Sequence, residues 1–453
     1  MKIEHKMLLA KGLLCCGWIV ALIGCTFEQE DYFDESASLR VTHINENIKQ
    51  RLVSQSDTTQ GHYGWVIQYF VAGTDDYDFE GFNLFGRFAD NGTVTLASNH
   101  RYLRGGNANQ YTEHTSTYQM LAEEGPVLSF NTWNDILTVF EDPVSPTSAP
   151  RTIVQDGEGM NGDHNLVLRS FTDDDILFRG ERHSAMVRFV PCDEPWADYM
   201  AKTSALKDYI TNTNINSYYV INGTDTLYFV NLRRGYFTYA ERVFDPLLPR
   251  TVECVFTPQG FRLQHQDSIG SATFQEFRLA ADSTSLVSED GNTRVMATWD
   301  QYLAELDEVW QLDSTRFTQQ QWQLFNAIDE EIRKFNTKWS LKSIGIGDLG
   351  DFMGLVFTFN TGVAKKPTNT TAMELTVART AYGQLSITCS DDPEIDANME
   401  NAYDRGAEDI VNLSRQFAAT ITGTFNVRPN SVFLPTEAAF DPVGGGTAFS
   451  IAE

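Results

Sequence analysis

From Trp65 onward the chain falls into short runs in which apolar and polar residues alternate. The runs are WVIQYF from Trp65, FNLFGRF from Phe82, TVTLAS from Thr93, STYQML from Ser116, VLSFN from Val127, ILTVF from Ile136, NLVLRSF from Asn165, DILFRG from Asp175 and MVRFV from Met186. A period of two is the signature of strands with one face in a core, so an antiparallel sheet is predicted. DNG at 90–92 is a hairpin-type turn signal. A second series follows: SYYVI from Ser217, TLYFVNL from Thr226, GYFTYA from Gly235, VECVFT from Val252, GFRLQH from Gly260 and TFQEFRL from Thr273. VLSFNTWNDI and VECVFTPQGF are loosely alike, which suggests that the two β-rich regions are repeats.

Helical spacing appears at four places. Leu39, Ile44, Ile48 and Leu52 lie near one helix face, and the stretch from Cys192 to Thr213 reads as a second helix. The third is the best marked. In FTQQQWQLFNAIDEEIRKF, Thr318 is the predicted N-cap and Gln321 completes a capping box, with Phe317 and Trp322 as a hydrophobic staple. Trp322, Phe325, Ile328, Ile332 and Phe335 form its apolar stripe. A fourth helix is predicted over NAYDRGAEDIVNLSRQFAATITG, with Ile410, Leu413, Phe417 and Ile421 inward and Gly423 as C-cap. Strands are expected around LVFTFN, AMELTVA, GQLSIT, FNVRP, SVFLP and TAFSI.

The predicted class is therefore α+β and β-dominated. Antiparallel sheets, sandwich or barrel-like, make two β-rich regions, and a C-terminal α+β region follows. The predicted divisions are 1–24, a signal segment; 25–36, an acidic tether; 37–200, a β-rich domain with flanking helices; 201–300, a second β-rich domain; and 301–453, an α+β domain.

The N-terminus changes this picture from a plain globular chain to an exported one. Lys2, Lys6 and Lys11 precede an uncharged stretch from Gly12 to Gly24. A basic head, a short apolar segment and small residues at its end make a secretory signal. The stretch is too short to span a bilayer, which needs about 20 residues. Its end, Leu22-Ile23-Gly24-Cys25, resembles the bacterial lipobox. That resemblance implies cleavage before Cys25, a diacylglyceryl group on its thiol and an acylated (palmitate-type) amino terminus. Two acyl signals anchor stably where one does so only marginally.

Charge then narrows the partners. The whole chain carries −27. The first 24 residues hold three Lys and one Glu, so −29 remains on the rest. Such a chain does not bind nucleic acid through phosphate neutralisation. Nor does it adhere to an anionic membrane surface by charge. Hydrophobic residues make up 42%, enough for a real core rather than disorder. Beyond Cys25 only Cys192, Cys254 and Cys389 remain, all beside apolar runs, and they are expected as small buried hydrophobes rather than a disulfide framework.

Chemical motifs are sparse. IGIGDLG contains Gly345, Gly347 and Gly350 at dinucleotide-motif spacing. A strand rather than a helix follows, so a turn between strands is expected and no cofactor is predicted. The eight His show no metal-ligand spacing. His62, His164 and His183 have polar neighbours that suggest surface or hydrogen-bonded roles. DDYDFE at 75–80, FTDDDI at 171–176 and CSDDPEID at 389–396 are read as acidic turns rather than Ca²⁺ loops. No GxSxG elbow is present. Trp65 and Trp133 are the candidate ligand-binding aromatics, and Trp133 stands out for its polar, turn-like setting.

Lipobox, acidic tether, GWVIQYF, YQM…GPVLSFNTWND and GEGMNGDHNLVLRSFTDDDILFRGERHSAMVRFVP occur in an order that resembles an uncharacterised family of Bacteroidota lipoproteins, domain of unknown function 4302. The resemblance covers most of the chain after Cys25 and is most specific over 63–191. It implies an outer-membrane lipoprotein, with the acids after Cys25 directing it to the cell exterior. It also implies a place beside a TonB-dependent transporter and its substrate-binding lipoprotein, in nutrient uptake. It supplies no catalytic residues. The leading expectation is non-catalytic capture of a glycan or peptide. The alternatives are a hydrolase with a glycosidase-like carboxylate pair, and a structural or adhesin lipoprotein.

Overall fold

The computed structural model describes residues 35–453, apart from 73–78, 105–106, 124, 143–158, 212–217, 224, 233–234, 241–249, 270, 284, 298–307, 349–351, 382 and 432–434. Cys25 and most of the acidic tether lie outside the described residues.

The alternating runs build three meanders. The first has β1 (Trp65–Phe70), β2 (Phe82–Phe88), β3 (Thr93–Ser98), β4 (Thr112–Thr117), β5 (Gln119–Ala122), β6 (Pro126–Ser129), β7 (Asn165–Phe171), β8 (Ile176–Gly180) and β9 (Met186–Pro191). The second has β10 (Tyr218–Asn222), β11 (Asp225–Asn231), β12 (Tyr236–Ala240), β13 (Arg250–Phe256), β14 (Gly260–Ile269), β15 (Ala272–Leu279), β16 (Leu286–Ser288) and β17 (Thr293–Ala297). The third has β18 (Trp310–Leu312), β19 (Ser340–Asp348), β20 (Met353–Val363), β21 (Lys366–Glu374), β22 (Thr376–Ala381), β23 (Gln384–Thr388), β24 (Gly423–Pro429), β25 (Glu437–Pro442) and β26 (Phe449–Ala452). Five α-helices are described: α1 (Ala37–Ser54), α2 (Trp196–Thr211), α3 (Gln319–Phe335), α4 (Ala397–Asp404) and α5 (Ile410–Ala418). Among the described residues no helix is long and apolar enough to cross a membrane.

The fold is β-dominated and antiparallel, with a C-terminal α+β region. In each meander the first strand pairs with the last: β1 with β9, β10 with β17, β18 with β26. The middle meander closes into an eight-stranded barrel. The outer two are nine-stranded sheets whose edge strands are consecutive in sequence, β4 and β5 in one and β21 and β22 in the other. Each edge pair is separated by a single buried residue, Tyr118 or Leu375. The chain there is one strand, sharply bent. Its first half pairs back to the strand before, and its second half pairs forward to the strand after.

Unpaired edges are a liability, and both bends manage theirs alike. The segment after β6 runs back along β4. There Thr132 Oγ1 accepts from Thr117 N at 2.9 Å, and Asn134 Nδ2 donates to His114 O at 3.1 Å. The segment after β23 does the same along β21. Asp396 N donates to Ala372 O at 3.0 Å and Asn398 Nδ2 to Thr370 O at 3.0 Å. Helix α1 covers β5, with Asn45 Nδ2 donating to Leu121 O at 3.0 Å. The repetition therefore relates the first and third meanders. VLSFNTWNDI and VECVFTPQGF fall at different places in their own meanders, in β6 and β13.

Several expectations need correction. STYQML and AMELTVA each straddle a bend rather than form one strand. ILTVF is no strand: Thr138–Phe140 is a 3₁₀ turn, and the run packs into the core of the first sheet. Phe140 stacks on Tyr69, with ring centroids 5.2 Å apart, and also meets Phe82 and His100. The fourth helix is two, α4 and α5, broken at Gly406 (φ +113°), and Gly423 opens β24 instead of capping a helix. Gly345 and Gly347 lie within β19, not in a turn. A Cβ on either would stand 2.5 Å from a backbone oxygen, of Trp310 and Glu308 respectively, so their use is close strand approach.

The first sheet has its own core. A second apolar cluster runs through the middle barrel, Ile210 of α2 and the C-terminal region. Between them lies α2. Trp196 and Met200 pack with Val66, Phe85 and Cys192 on the outer face of the first sheet.

A candidate ligand cleft between the first two β-units

Where α2 leaves the first sheet, three segments fail to meet. One is the start of β2, Glu80 to Asn83. Another follows β3, with Asn99 to Arg101 and Asn109. The third is the far half of α2. With the end of β13 they enclose a cleft of about 580 Å³. Ligand sites favour such junctions, at roughly 300–1,000 Å³. Two direct bonds fix the junction: Asn83 Nδ2 donates to Phe256 O at 2.7 Å, and Gly81 N to Cys254 O at 3.1 Å. Gly235 permits the approach. It sits at φ +83°, and a Cβ there would be 2.4 Å from the Glu80 Cβ.

Three of the four charged side chains lining the cleft, Glu80, Arg101 and Lys207, are paired with one another. Glu80, 8% exposed, has Arg101 Nε at 3.3 Å from one oxygen and Lys207 Nζ at 3.4 Å from the other. Lys207 also stands over the ring of Phe256, 5.5 Å from its centroid. His100 is buried. Its Nδ1 accepts from Tyr102 N at 3.3 Å, and its Nε2 faces Ile136 O at 3.2 Å, which assigns the neutral Nε2–H tautomer. Burial pushes its pKa down to about 4, against a smaller upward pull from the Ile136 carbonyl. The remaining walls are mostly amides and hydroxyls, with Asp208 exposed among them.

Two atoms of this lining are unusual. Asn83 Oδ1 and Thr203 Oγ1 are buried and make no hydrogen bond within the protein. Buried polar atoms nearly always have partners. Here two that lack them, one at the start of β2 and one on α2, belong to residues that line the same cleft. What this arrangement can do is bind through hydrogen bonds to a hydroxyl or amide.

Trp133 lies beyond the same loop. It is 53% exposed, yet its indole nitrogen is engaged. Its Nε1 donates to Asp135 Oδ1 at 2.6 Å, and Asp135 Oδ2 meets His114 Nδ1 at 2.8 Å. The indole hydrogen bond first, then His114, hold the Asp135 carboxyl below its usual range, against a smaller upward push from burial. The Arg104 guanidinium lies 5.9 Å from the Trp133 ring centroid and pairs with Asp142. Asn134, fully buried, pins the neighbouring residue to β4 through His114 O and Ser116 Oγ.

Trp65 is a core residue instead. It is 1% exposed, and its Nε1 donates to Leu52 O at 3.2 Å, so its ring offers a ligand no face. His62, His164 and His183 each have an acidic neighbour, Asp193, Glu141 and Asp163. Of the acidic turns, Asp175 binds Arg188 at 2.7 Å and Asp396 caps α4, while 75–78 lie outside the described residues. Among the described residues no three His, Cys, Asp or Glu side chains gather as a metal-binding group. Cys192 and Cys254 are buried free thiols and Cys389 is half-buried. Burial raises all three, Cys192 to about 11. Sequence reasoning missed Glu80, Asn83, Arg101, Thr203 and Lys207. They come from three separate segments and share no spacing.

Residues 29–281, more than half of the chain, match the domain of unknown function DUF4302. The chain belongs to the DUF4302 family. The match takes in the first sheet, α2 and most of the middle barrel, and so every wall of the cleft. No curated protein matches the chain.

Proposed function

We propose that this DUF4302 protein is a lipid-anchored binding protein that captures a glycan or peptide in the cleft between its first two β-units. In this reading Cys25 carries the lipid, the outer membrane holds it, and the body faces the exterior beside a TonB-dependent transporter and its substrate-binding lipoprotein. The observation that carries the binding role is a cleft of ligand size whose lining residues include two with unpartnered buried atoms, Asn83 Oδ1 at the start of β2 and Thr203 Oγ1 on α2. The lipobox-like Leu22–Cys25 and the acids behind it support the address.

Two measurements test this. The chain from Thr26 onward is screened against glycans and peptides, and the full-length protein is purified from outer membranes with its neighbours. Binding in the screen, or a transporter in the purified complex, supports the reading. If neither is seen, the reading fails.

A further inference from the structure

We propose that the tip of the β20–β21 hairpin is a docking surface for an anionic lipid bilayer, which it meets through the phosphate headgroups. The surface belongs to the third meander and depends on neither the cleft nor Cys25.

The sequence concentrates its cations here. Eight lysines follow Cys25, and five of them fall between Lys334 and Lys366. The stretches 332–347 and 352–373 hold those five and Arg333, and no Asp or Glu, in a chain of net charge −27. That net charge points away from anionic surfaces, but it averages over the whole molecule, whereas a bilayer meets one face. Charges are largely screened beyond about 8 Å at physiological salt, so distant acids do not cancel a local cluster.

The fold gathers these cations at one projecting end. β19 begins at Ser340, which pairs with Asn360, while β20 and β21 run on to pair Val363 with Lys366. Residues 361–366 therefore extend past the neighbouring strand. Lys365 and Lys366 stand at the tip. Lys338 lies against it, since a Cβ on Gly362 would be 3.6 Å from the Lys338 Cβ. Lys342 follows on β19, two residues after Ser340. All four lysines are exposed, and none forms an ion pair with a described residue. Of the acids that precede them on α3, Asp329 is matched by Arg333 at 3.0 Å and Glu331 by Lys334 at 2.5 Å, which leaves Glu330. Glu400 and Asp404 of α4, the helix beside β21, pair with none of the four.

The apolar groups of the tip favour a bilayer over a soluble polyanion. Val363 is 52% exposed beside the lysines. Trp339, half-buried next to Lys338, stacks on Phe359 with centroids 6.0 Å apart and meets Phe335 edge-on at 5.3 Å. An exposed aliphatic group among cations, with an amphipathic ring behind it, suits the boundary between headgroups and acyl chains. The tip is shaped before contact. Thr361 Oγ1 accepts from Val363 N at 3.1 Å and donates to Lys366 O.

The test is cosedimentation of the chain from Thr26, which carries no lipid, with two kinds of vesicle. One is phosphatidylcholine alone, and the other is phosphatidylcholine with an equal share of phosphatidylglycerol. Heparin serves as a soluble polyanion. The chain should sediment with the phosphatidylglycerol vesicles at about 0.1 M salt and be released at about 1 M. It should not sediment with phosphatidylcholine alone. Each lysine close to an anionic surface adds about fivefold to partitioning, so Lys365→Gln with Lys366→Gln should weaken binding about 25-fold. The melting temperature should not change, because neither side chain has an ion-pair partner. Val363→Gln should weaken vesicle binding severalfold and leave any heparin binding unaltered. Lys202→Gln, which removes a lysine paired with Glu194 on another element, should bind as the wild type does. Equal sedimentation with both vesicles, or unchanged binding by the double variant, overturns the proposal. Heparin binding without vesicle binding overturns it in favour of a soluble polyanion, and binding to neither overturns it outright.

Discussion

The Nε2 of His100 lies 3.2 Å from the carbonyl oxygen of Ile136, and this one hydrogen bond joins the loop lining the cleft to the loop presenting Trp133. The two loops come from opposite sides of the bend at Tyr118. Protonating His100 puts a charge into a buried aromatic setting beside Phe140 and Phe82.

Stability should therefore fall in acid within a defined window. The folded pKa of His100 is depressed to about 4 from an ordinary 6.5. Above 6.5 the group is neutral in both states, and its stabilising contribution is complete. As pH falls from 6.5 towards 4 only the unfolded chain takes the proton, so roughly 3 kcal/mol is progressively lost. Urea denaturation across this range measures it. In His100→Gln this step should be absent, although carboxylates elsewhere will still respond below it.

Tyr118 should behave as the hinge of the bent strand. It is 3% exposed, packs edge-on to Phe88 with centroids 4.9 Å apart, and donates its hydroxyl to Ala89 O at 2.9 Å. Tyr118→Ala should cost about 3–5 kcal/mol, and Tyr118→Phe only about 1 kcal/mol. Chemical denaturation of both variants separates packing from the hydrogen bond.

Asn134 should guard the β4 edge. Its side chain bonds His114 O and Ser116 Oγ and accepts from Ile136 N. Asn134→Ala should cost about 2–3 kcal/mol by leaving buried groups unpaired. It should also produce concentration-dependent oligomers through the uncovered strand, visible by sedimentation. A strictly monomeric, fully stable variant would contradict this.

Much of the fold is legible in the sequence, and the misses have physical causes. The capping box of α3 is formed as expected. Thr318 N donates to Gln321 Oε1 at 2.8 Å, Gln321 N donates to Thr318 Oγ1 at 3.2 Å, and Phe317 meets Trp322 with centroids 5.5 Å apart. Its buried face, however, is Gln321, Leu324, Ile328, Glu331 and Ile332, while Trp322 is 42% exposed. The capping glutamine is drawn inward, with Nε2 also donating to Thr420 Oγ1. Glu331 turns inward to accept from Asp409 N. Polar residues on the inner face hide the rotation from a hydrophobic pattern. The bends at Tyr118 and Leu375 are invisible for another reason. Alternation continues through them, and only the pairing partner changes. The cleft cannot be read at all from sequence, since its walls are separate segments joined by the fold. Trp133 could be singled out because its neighbours are polar.

Gly235 should be intolerant in a way that ties the junction to binding. At φ +83° a side chain costs roughly 1–2 kcal/mol from the backbone alone. In Gly235→Ala the new Cβ also collides with Glu80, which holds Arg101 and Lys207 in place. Ligand affinity should fall more steeply than melting temperature.

The proposed lipid anchor at Cys25 has its own test. In Cys25→Ala the protein should leave the membrane fraction for the supernatant, and an unchanged distribution would refute anchoring at that residue.

The binding role is tested most directly by the crystal structure of the chain from Thr26 grown with a saturating ligand from the binding screen. That ligand should lie between Glu80–Asn83, Asn99–Arg101 and Thr203–Thr211, with a hydroxyl or amide of the guest on Asn83 Oδ1 and Thr203 Oγ1. A ligand bound elsewhere on the protein, with only solvent against those two atoms, would contradict it.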